Sequence, residues 1–442
     1  MNVTPLSRRG FLKTAGAGGI TMWIPNKASG YTSAEMRVKD AEGSLVGVSK
    51  WELDTPVLCV DLDKLEQNLA TMRKKLAETR VASRPHAKTH KCPAIAKLQL
   101  ASGSIGVCTA KVSEAEALFA GGIEKILMTT SNVTANKIRR AMAISKANGS
   151  FIQAVDHPRN AQDLSDAAKH AGIVANVVVD VAIGTRSGVP ADDRALALAQ
   201  LVDKLPNLKL RGLISYDGGA QHIKGFTKRN EETLKRFEPS LRTFEAMKRS
   251  GLNTEIFSGG GTGTYNIMPK VSGVTDVQVG SYIFMDAQYL EIGGEGNEEL
   301  YTDFAPSLTV ITTVLNTYFP NRLTTDAGAK ALTLNKPGPW VVGEKDFAYN
   351  AGSDEFGVIK YETAGRSYKV GDKLELIVPH CDPVVNEYDQ MSRSATTRSR
   401  PSGRSRRADT PSKSGGPRRH GGVRRAAGEA ARAAGLMVSA PD

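Results

Sequence analysis

Three short stretches hold the residue types that do chemistry. In Arg84-Pro85-His86-Ala87-Lys88-Thr89-His90-Lys91, four or five side chains of the eight can carry positive charge, yet apolar segments at 56–60 and 105–109 flank it. Such a cluster is either a solvated turn or a site for an anion and a carbonyl. Ser258-Gly259-Gly260-Gly261-Thr262-Gly263-Thr264 joins bare backbone N–H groups to hydroxyl donors. That composition suits an anion cradle as well as a flexible loop. In His380-Cys381-Asp382, residues two apart on an extended chain face one side, so His380 and Asp382 can converge on a divalent ion while Cys381 points away. An imidazole with a carboxylate suits Mn²⁺ or Zn²⁺. Two protein ligands leave room for water and substrate oxygens, a catalytic rather than a structural arrangement. A hydrogen-bonded loop is the plain alternative.

The elements that would position these groups can be read from periodicity. Between about 53 and 290, short apolar runs alternate with helical spacings. Leu65, Leu69, Met72 and Leu76 recur on one helical face over 64–76. Further helices are expected at 93–101, 112–120, 135–148, 159–171, 192–205 and 227–250. Strand-like runs fall at 81–88, 105–110, 126–131, 151–156, 174–181, 210–216, 254–258 and 276–286. Eight such units predict a parallel (β/α)8 barrel of the TIM type, whose chemistry sits at the strands' C-terminal ends. Lys88 ends the first run, and the Gly-rich loop follows the seventh, where barrels bind phosphate. Residues 301–390 are β-rich, as in 308–315 and 373–378, and predict a smaller, mostly antiparallel C-terminal β domain. The segment 56–61 belongs to that domain or leads into the barrel.

Composition excludes several classes. A hydrophobic content of 40% with 24% charged residues describes a globular protein with a large core. The formal charge of +12 comes from the two ends: residues 391–442 carry +9, residues 1–35 carry +3, and the body is neutral. A nucleic-acid partner of the folded part is therefore not expected. Cys59, Cys92, Cys108 and Cys381 show no CxxC spacing and no disulfide framework. Ser7-Arg8-Arg9-Gly10-Phe11-Leu12-Lys13, with the short apolar run 14–24, is the pattern of a twin-arginine export signal. It predicts a periplasmic protein, cytoplasmic if the signal is not used, and the run is too short for a stable membrane span.

A lysine and a phosphate loop on one barrel rim suggest pyridoxal 5'-phosphate, whose aldehyde condenses with a lysine amine as a Schiff base. Arg186, after the fifth strand, could face the ring nitrogen or simply cap a helix.

Taken in order, the octet at 84–91, Gly184-Thr185-Arg186-Ser187-Gly188, Tyr216-Asp217-Gly218-Gly219-Ala220-Gln221-His222, the Ser258 loop, Gly280-Ser281-Tyr282-Ile283-Phe284-Met285-Asp286 and His380-Cys381-Asp382-Pro383 resemble the D-threonine aldolase and D-serine dehydratase group. These are metal-dependent, alanine-racemase-like pyridoxal-phosphate enzymes, and the resemblance covers 53–389. It implies that Lys88 holds the cofactor, Arg186 faces its ring nitrogen and Tyr216 lines its pocket. Ser258, Gly259, Gly260 and Gly261, with Tyr282, would bind the phosphate. His380 and Asp382 would bind the metal, and His222 would serve as acid or base. The aldolase branch carries His-x-Asp and the dehydratase branch His-x-Cys, so Asp382 favours an aldolase. The implied substrate is a small β-hydroxy D-amino acid cleaved to glycine and an aldehyde. D-serine dehydration and D-3-hydroxyaspartate cleavage are the alternatives, and a homodimer is expected.

From Met391 the chain turns Arg/Ser/Gly/Ala-rich without strand periodicity. A basic disordered tail is expected over 391–442. The abrupt shift favours a reading-frame change that replaced a last strand of the β domain, and it leaves an inactivated cofactor-binding protein as a further alternative.

Overall fold

The computed structural model describes residues 48–389 and 391–394, with isolated positions 31, 32, 35 and 38 before them. The twin-arginine segment and the chain beyond Ser394 lie outside the described residues.

After β1 (Val57–Asp61), the chain enters helix Leu62–Ala77, where the Asp61 carboxylate accepts from Lys64 N and caps the first turn. Leu65, Leu69, Met72 and Leu76 are buried on this helix, the same stripe that its spacing predicts. The barrel strands follow as β2 (Ala82–Ser83), β3 (Val107–Thr109), β4 (Ile126–Met128), β5 (Ile152–Val155), β6 (Ala175–Ala182), a short β7 (Val189–Pro190) beside it, β8 (Leu208–Ser215), β9 (Ile256–Gly259) and β10 (Asp276–Val277). Their order is β2-β10-β9-β8-β6-β5-β4-β3, parallel throughout. A bridge between His86 and Cys108 joins the last strand to the first, supported by Cys108 N donating to Pro85 O at 2.7 Å. Helices Pro93–Ala101, Val112–Ala120, Ala135–Ala147, Pro158–Ala171, Asp193–Lys204 and Phe226–Arg249 complete the alternation.

Two of the runs end in a one-turn helix instead of continuing as strand. Over 81–88 only Ala82 and Ser83 form a strand, because Pro85 offers no N–H and the chain then coils into a one-turn 3-10 helix, Ala87–Thr89. Lys88 thus sits on a turn rather than at a strand end. Over 276–286 the strand stops at Val277, and a second such turn covers Ser281–Ile283.

The remaining strands are β11 (Leu308–Asn316), β12 (Arg322–Thr325), β13 (Trp340–Val341), β14 (Ala348–Ala351), β15 (Gly357–Lys360), β16 (Lys373–Ile377) and β17 (Ser392–Ser394). They form a mainly antiparallel sheet in the order β13-β16-β11-β12-β15-β14. Contrary to an uninterrupted β reading, short helices Ala329–Leu332 and Cys381–Asn386 lie within it. β1 pairs with β11 and, in parallel, with β17, which assigns it to this sheet. The expectation that no strand follows Met391 is corrected here: Met391 is buried and Ser392–Ser394 pair with Cys59–Asp61.

Arg84 closes the barrel electrostatically. Its Nε and Nη2 meet the Asp276 carboxylate at 2.9 and 3.3 Å, joining the first barrel strand to the eighth. Asp276 is fully buried. Removing the cation would strand that charge, so Arg84→Ala should cost about 3–5 kcal/mol of stability, measured by urea unfolding.

Candidate active site between barrel and β domain

Lys88 meets the second domain directly. Its Nζ lies 2.5 Å from Asp382 Oδ2, across 294 residues of sequence. Burial would lower the Lys88 pKa, but the Asp382 carboxylate outweighs it and holds the amine charged. Burial likewise works to raise the Asp382 pKa, and the cations Lys88 and His380 drive it well below the usual carboxylate range.

The other histidines of the octet are neutral, unlike the cationic reading of the sequence. His86 and His90 are buried, and burial pushes His90 down to about 4 and His86 well below its ordinary value. His86 accepts from Lys88 N through Nδ1 and meets Thr129 Oγ1 at 3.2 Å through Nε2, which braces the lysine's turn.

His380 caps the helix Cys381–Asn386, so Asp382 lies in its first turn. The extended spacing that would align them is absent; the helix turns Asp382 toward Lys88 instead. Asp286, at the end of the barrel's last unit, receives His380 Nδ1 at 2.9 Å and Cys381 N at 2.9 Å on Oδ2, while Oδ1 accepts from Tyr289 N. This places the ring proton of His380 on Nδ1 and leaves Nε2 as the atom that could hold a metal. Burial opposes protonation of His380, but its bond to Asp286 outweighs this and raises its pKa.

Asp286, His380 and Cys381 also bring three ligand atoms within 4.8 Å of one another. In that trio burial raises the Cys381 thiol well above its ordinary pKa, and the Asp286 oxygens already accept hydrogen bonds. Of the expected pair, His380 is oriented by Asp286 and Asp382 is paired with Lys88.

The Gly-rich loop follows β9. Gly260 has φ +64°, and a Cβ there would stand 2.4 Å from Met268 Cγ; one on Gly263 would stand 2.2 Å from the Gln221 carbonyl oxygen. The loop is therefore stripped of side chains by necessity, as a phosphate cradle requires. Ser258 lies inside β9, and its hydroxyl donates to Asp276 at 2.5 Å, so its side chain serves the barrel wall. The Tyr282 ring is buried in the core, with its hydroxyl against Gln99 and its N donating to Thr262 Oγ1 at 2.9 Å.

Two residues unremarked in the sequence tie this loop to its neighbour. Gln221 accepts from Gly263 N at 3.0 Å and donates to Thr264 Oγ1 at 2.8 Å. Arg229, fully buried, donates to the carbonyls of Gly263, Ile223, Ile292 and Gly293 at 2.7–2.8 Å. No periodic signal marks an arginine whose partners are all main-chain oxygens.

Arg186 lies in an exposed loop with its guanidinium 4.6 Å from the centre of the Tyr216 ring. The loop is held by Ser187 Oγ on Asp180 and Gly188 N on Asp156, both at 3.3 Å. Burial raises Asp180 to about 7, with Arg186 opposing.

His222 ends the turn Ala220–His222 and packs on Tyr289, ring centres 4.8 Å apart; Tyr289 in turn stands 6.5 Å from His380. Burial, then the charge of His380, lowers His222 to about 4. Its Nδ1 is buried without a hydrogen-bond partner. A neutral imidazole with an unsatisfied nitrogen fits a proton acceptor.

Known proteins agree with this geometry. Residues 60–288 match the family described as "Alanine racemase, N-terminal domain", and 307–392 match a serine dehydratase domain. The chain is 35% identical over 349 residues to the 3-hydroxy-D-aspartate aldolase of Paracoccus denitrificans (strain Pd 1222), covering 78% of this chain and 90% of that protein. It is 35% identical over 340 residues to the D-threonine aldolase of Arthrobacter sp, covering 77% and 88%. The crystal structure of D-threonine aldolase from Filomicrobium marinum superposes with a TM-score of 0.75 at 32% identity, covering 79% and 93%. The lysine turn, glycine loop and two-domain rim thus have a common origin: the chain belongs to the alanine-racemase-like, pyridoxal-phosphate-dependent family, in its D-threonine aldolase and 3-hydroxy-D-aspartate aldolase branch.

Proposed function

We propose that the protein is an aldolase that uses pyridoxal phosphate and a divalent metal to cleave β-hydroxy D-amino acids of the D-threonine type to glycine and an aldehyde. The observation that carries this reading is the meeting of Lys88 with Asp382 at 2.5 Å, which sets a barrel amine beside a carboxylate and an oriented imidazole from the second domain. Lys88 would hold the cofactor through its amine, the Gly259–Gly261 backbone its phosphate, and Arg186 its ring nitrogen over Tyr216. Ser258 and Tyr282 would support that loop rather than reach the phosphate, since their side chains face the barrel wall and core and Tyr282 N donates to Thr262. When bound, the cofactor supplies an electron sink for the carbanion left at Cα, and an ion on His380 and Asp382 lowers the pKa of the β-hydroxyl.

The chain's own residues then divide the work. Asp286 holds the His380 ring through Nδ1, so that Nε2 is the atom that would bind the ion. Asp382 meets a cation in either state, the Lys88 ammonium or the metal. His222, free of a proton above about pH 4, accepts the β-hydroxyl proton. Tyr289 holds the His222 ring by a tilted ring contact.

The equal identity to a 3-hydroxy-D-aspartate aldolase supports a second substrate, cleaved to glycine and glyoxylate on the same residues. Mn²⁺ is the proposed ion, with Zn²⁺ as its substitute. The Ser7–Lys13 motif supports export to the periplasm by the twin-arginine route, and the family supports a homodimer. Among the described residues, no helix is long and apolar enough to cross a membrane.

With D-threonine, the purified protein should release glycine and acetaldehyde, and Lys88→Ala should release neither; pyruvate and ammonia from D-serine instead would assign a dehydratase. Chelation should abolish glycine release and added Mn²⁺ should restore it, followed by a coupled aldehyde assay. His222→Ala should lower kcat by about 10²–10⁴-fold while the cofactor's visible absorbance stays unchanged.

A further inference from the structure

The turn that carries Lys88 and the loop that would carry the cofactor phosphate are joined by a buried chain of hydrogen bonds. Cys92 N donates to His90 Nδ1 at 3.0 Å. Nδ1 is therefore the acceptor, and the ring proton sits on Nε2. Nε2 meets Gln99 Oε1 at 3.2 Å, which fixes the amide orientation. Gln99 Nε2 then donates to the Tyr282 hydroxyl at 3.3 Å. Tyr282 N donates to Thr262 Oγ1 at 2.9 Å, inside the Gly-rich loop. His90, Gln99, Tyr282 and Thr262 are each at most 1% exposed. At the near end, His90 N donates to Ala87 O at 3.1 Å and closes the turn around Lys88.

Gln99 is the middle of this chain and touches neither end of the site. It belongs to helix Pro93–Ala101. An amide is the side chain that accepts from one neighbour and donates to the next without adding charge. With His90 neutral, no ion pair can replace it.

We propose that Gln99 is a positioning residue that sets the span between the Lys88 amine and the phosphate loop. The cofactor is anchored at both ends, so its affinity depends on that span. A fixed span makes the second anchor effectively intramolecular once the first is engaged. Loosening it lowers the benefit of two-point binding and leaves each anchor intact. The inference rests on the reading of this site as a pyridoxal-phosphate site.

The test compares the affinity of the full-length apoprotein for pyridoxal phosphate with that for pyridoxal, which lacks the phosphate anchor. Both are measured by the change in visible absorbance on titration. In Gln99→Met the preference for pyridoxal phosphate over pyridoxal should fall about tenfold, with pyridoxal affinity nearly unchanged. Gln99→Glu puts a charge where the buried chain has a neutral amide and no ion-pair partner, so it should lower the preference as Gln99→Met does. Tyr282→Phe removes one hydroxyl, leaves no large void, and should lower the preference as Gln99→Met does; it carries the test if Gln99→Met does not fold. A preference unmoved by Tyr282→Phe, or a parallel loss of affinity for both compounds, overturns the proposal. If the unaltered protein binds neither compound, the reading of the site fails and the proposal with it. If it binds both and the preference does not respond, only the role of Gln99 fails.

Discussion

The ion pair between Lys88 and Asp382 sits where the barrel and the β domain must agree on a distance. A lysine amine on a barrel turn and a carboxylate on a short helix of another sheet can meet only if the domains are docked in one way. Several contacts enforce that docking close by. Ala287 N and Gln288 N donate to the carbonyls of Val378 and Pro379, and Asp286 takes both His380 and the Cys381 N–H. Lys91 adds a bond to Asn386. The last barrel unit and the segment around helix Cys381–Asn386 are thus bonded through main chain as well as side chain. The site residues inherit their spacing from that seam.

Charge in the site is lower than its residue types suggest. Two of the octet's histidines are buried and neutral, and Arg84 is paired with Asp276 on the barrel wall. Lys88 is the cation left facing the chemistry, and Asp382 balances it. His222 is neutral as well, although it stands among charged groups. An uncharged imidazole can accept a proton without first losing one. Desolvation thus leaves neutral imidazoles beside a charged amine, a distinction that residue types alone do not show.

Local patterns were the legible part of this chain. The stripe Leu65, Leu69, Met72 and Leu76 located its helix within two residues, because helical burial repeats at a fixed short interval. The eight-unit alternation gave the barrel for the same reason. What escaped depends on contacts remote in sequence. Asp286 orients His380 from 94 residues away. Arg229 has only carbonyl partners, and Gln99 looks like any polar residue on a helix. The short strand Ser392–Ser394 escaped because three residues are too few to show alternation. The spacing argument for His380 and Asp382 assumed extended chain, and the helix beginning at Cys381 redirected it.

The β domain is discontinuous in sequence. Its central strands come from 308–377, yet one face of β11 is completed by β1, which precedes the whole barrel, and β1 is flanked on its other side by β17. During synthesis the barrel's strands all emerge before β11 does, so the barrel can close while β1 still lacks a partner. The sheet assembles only after residue 377 has appeared, and His380 and Asp382 follow within five residues. Asp382 is therefore placed late in folding. A chain halted in the β domain before it would present Lys88 on its barrel turn without the carboxylate that pairs with it.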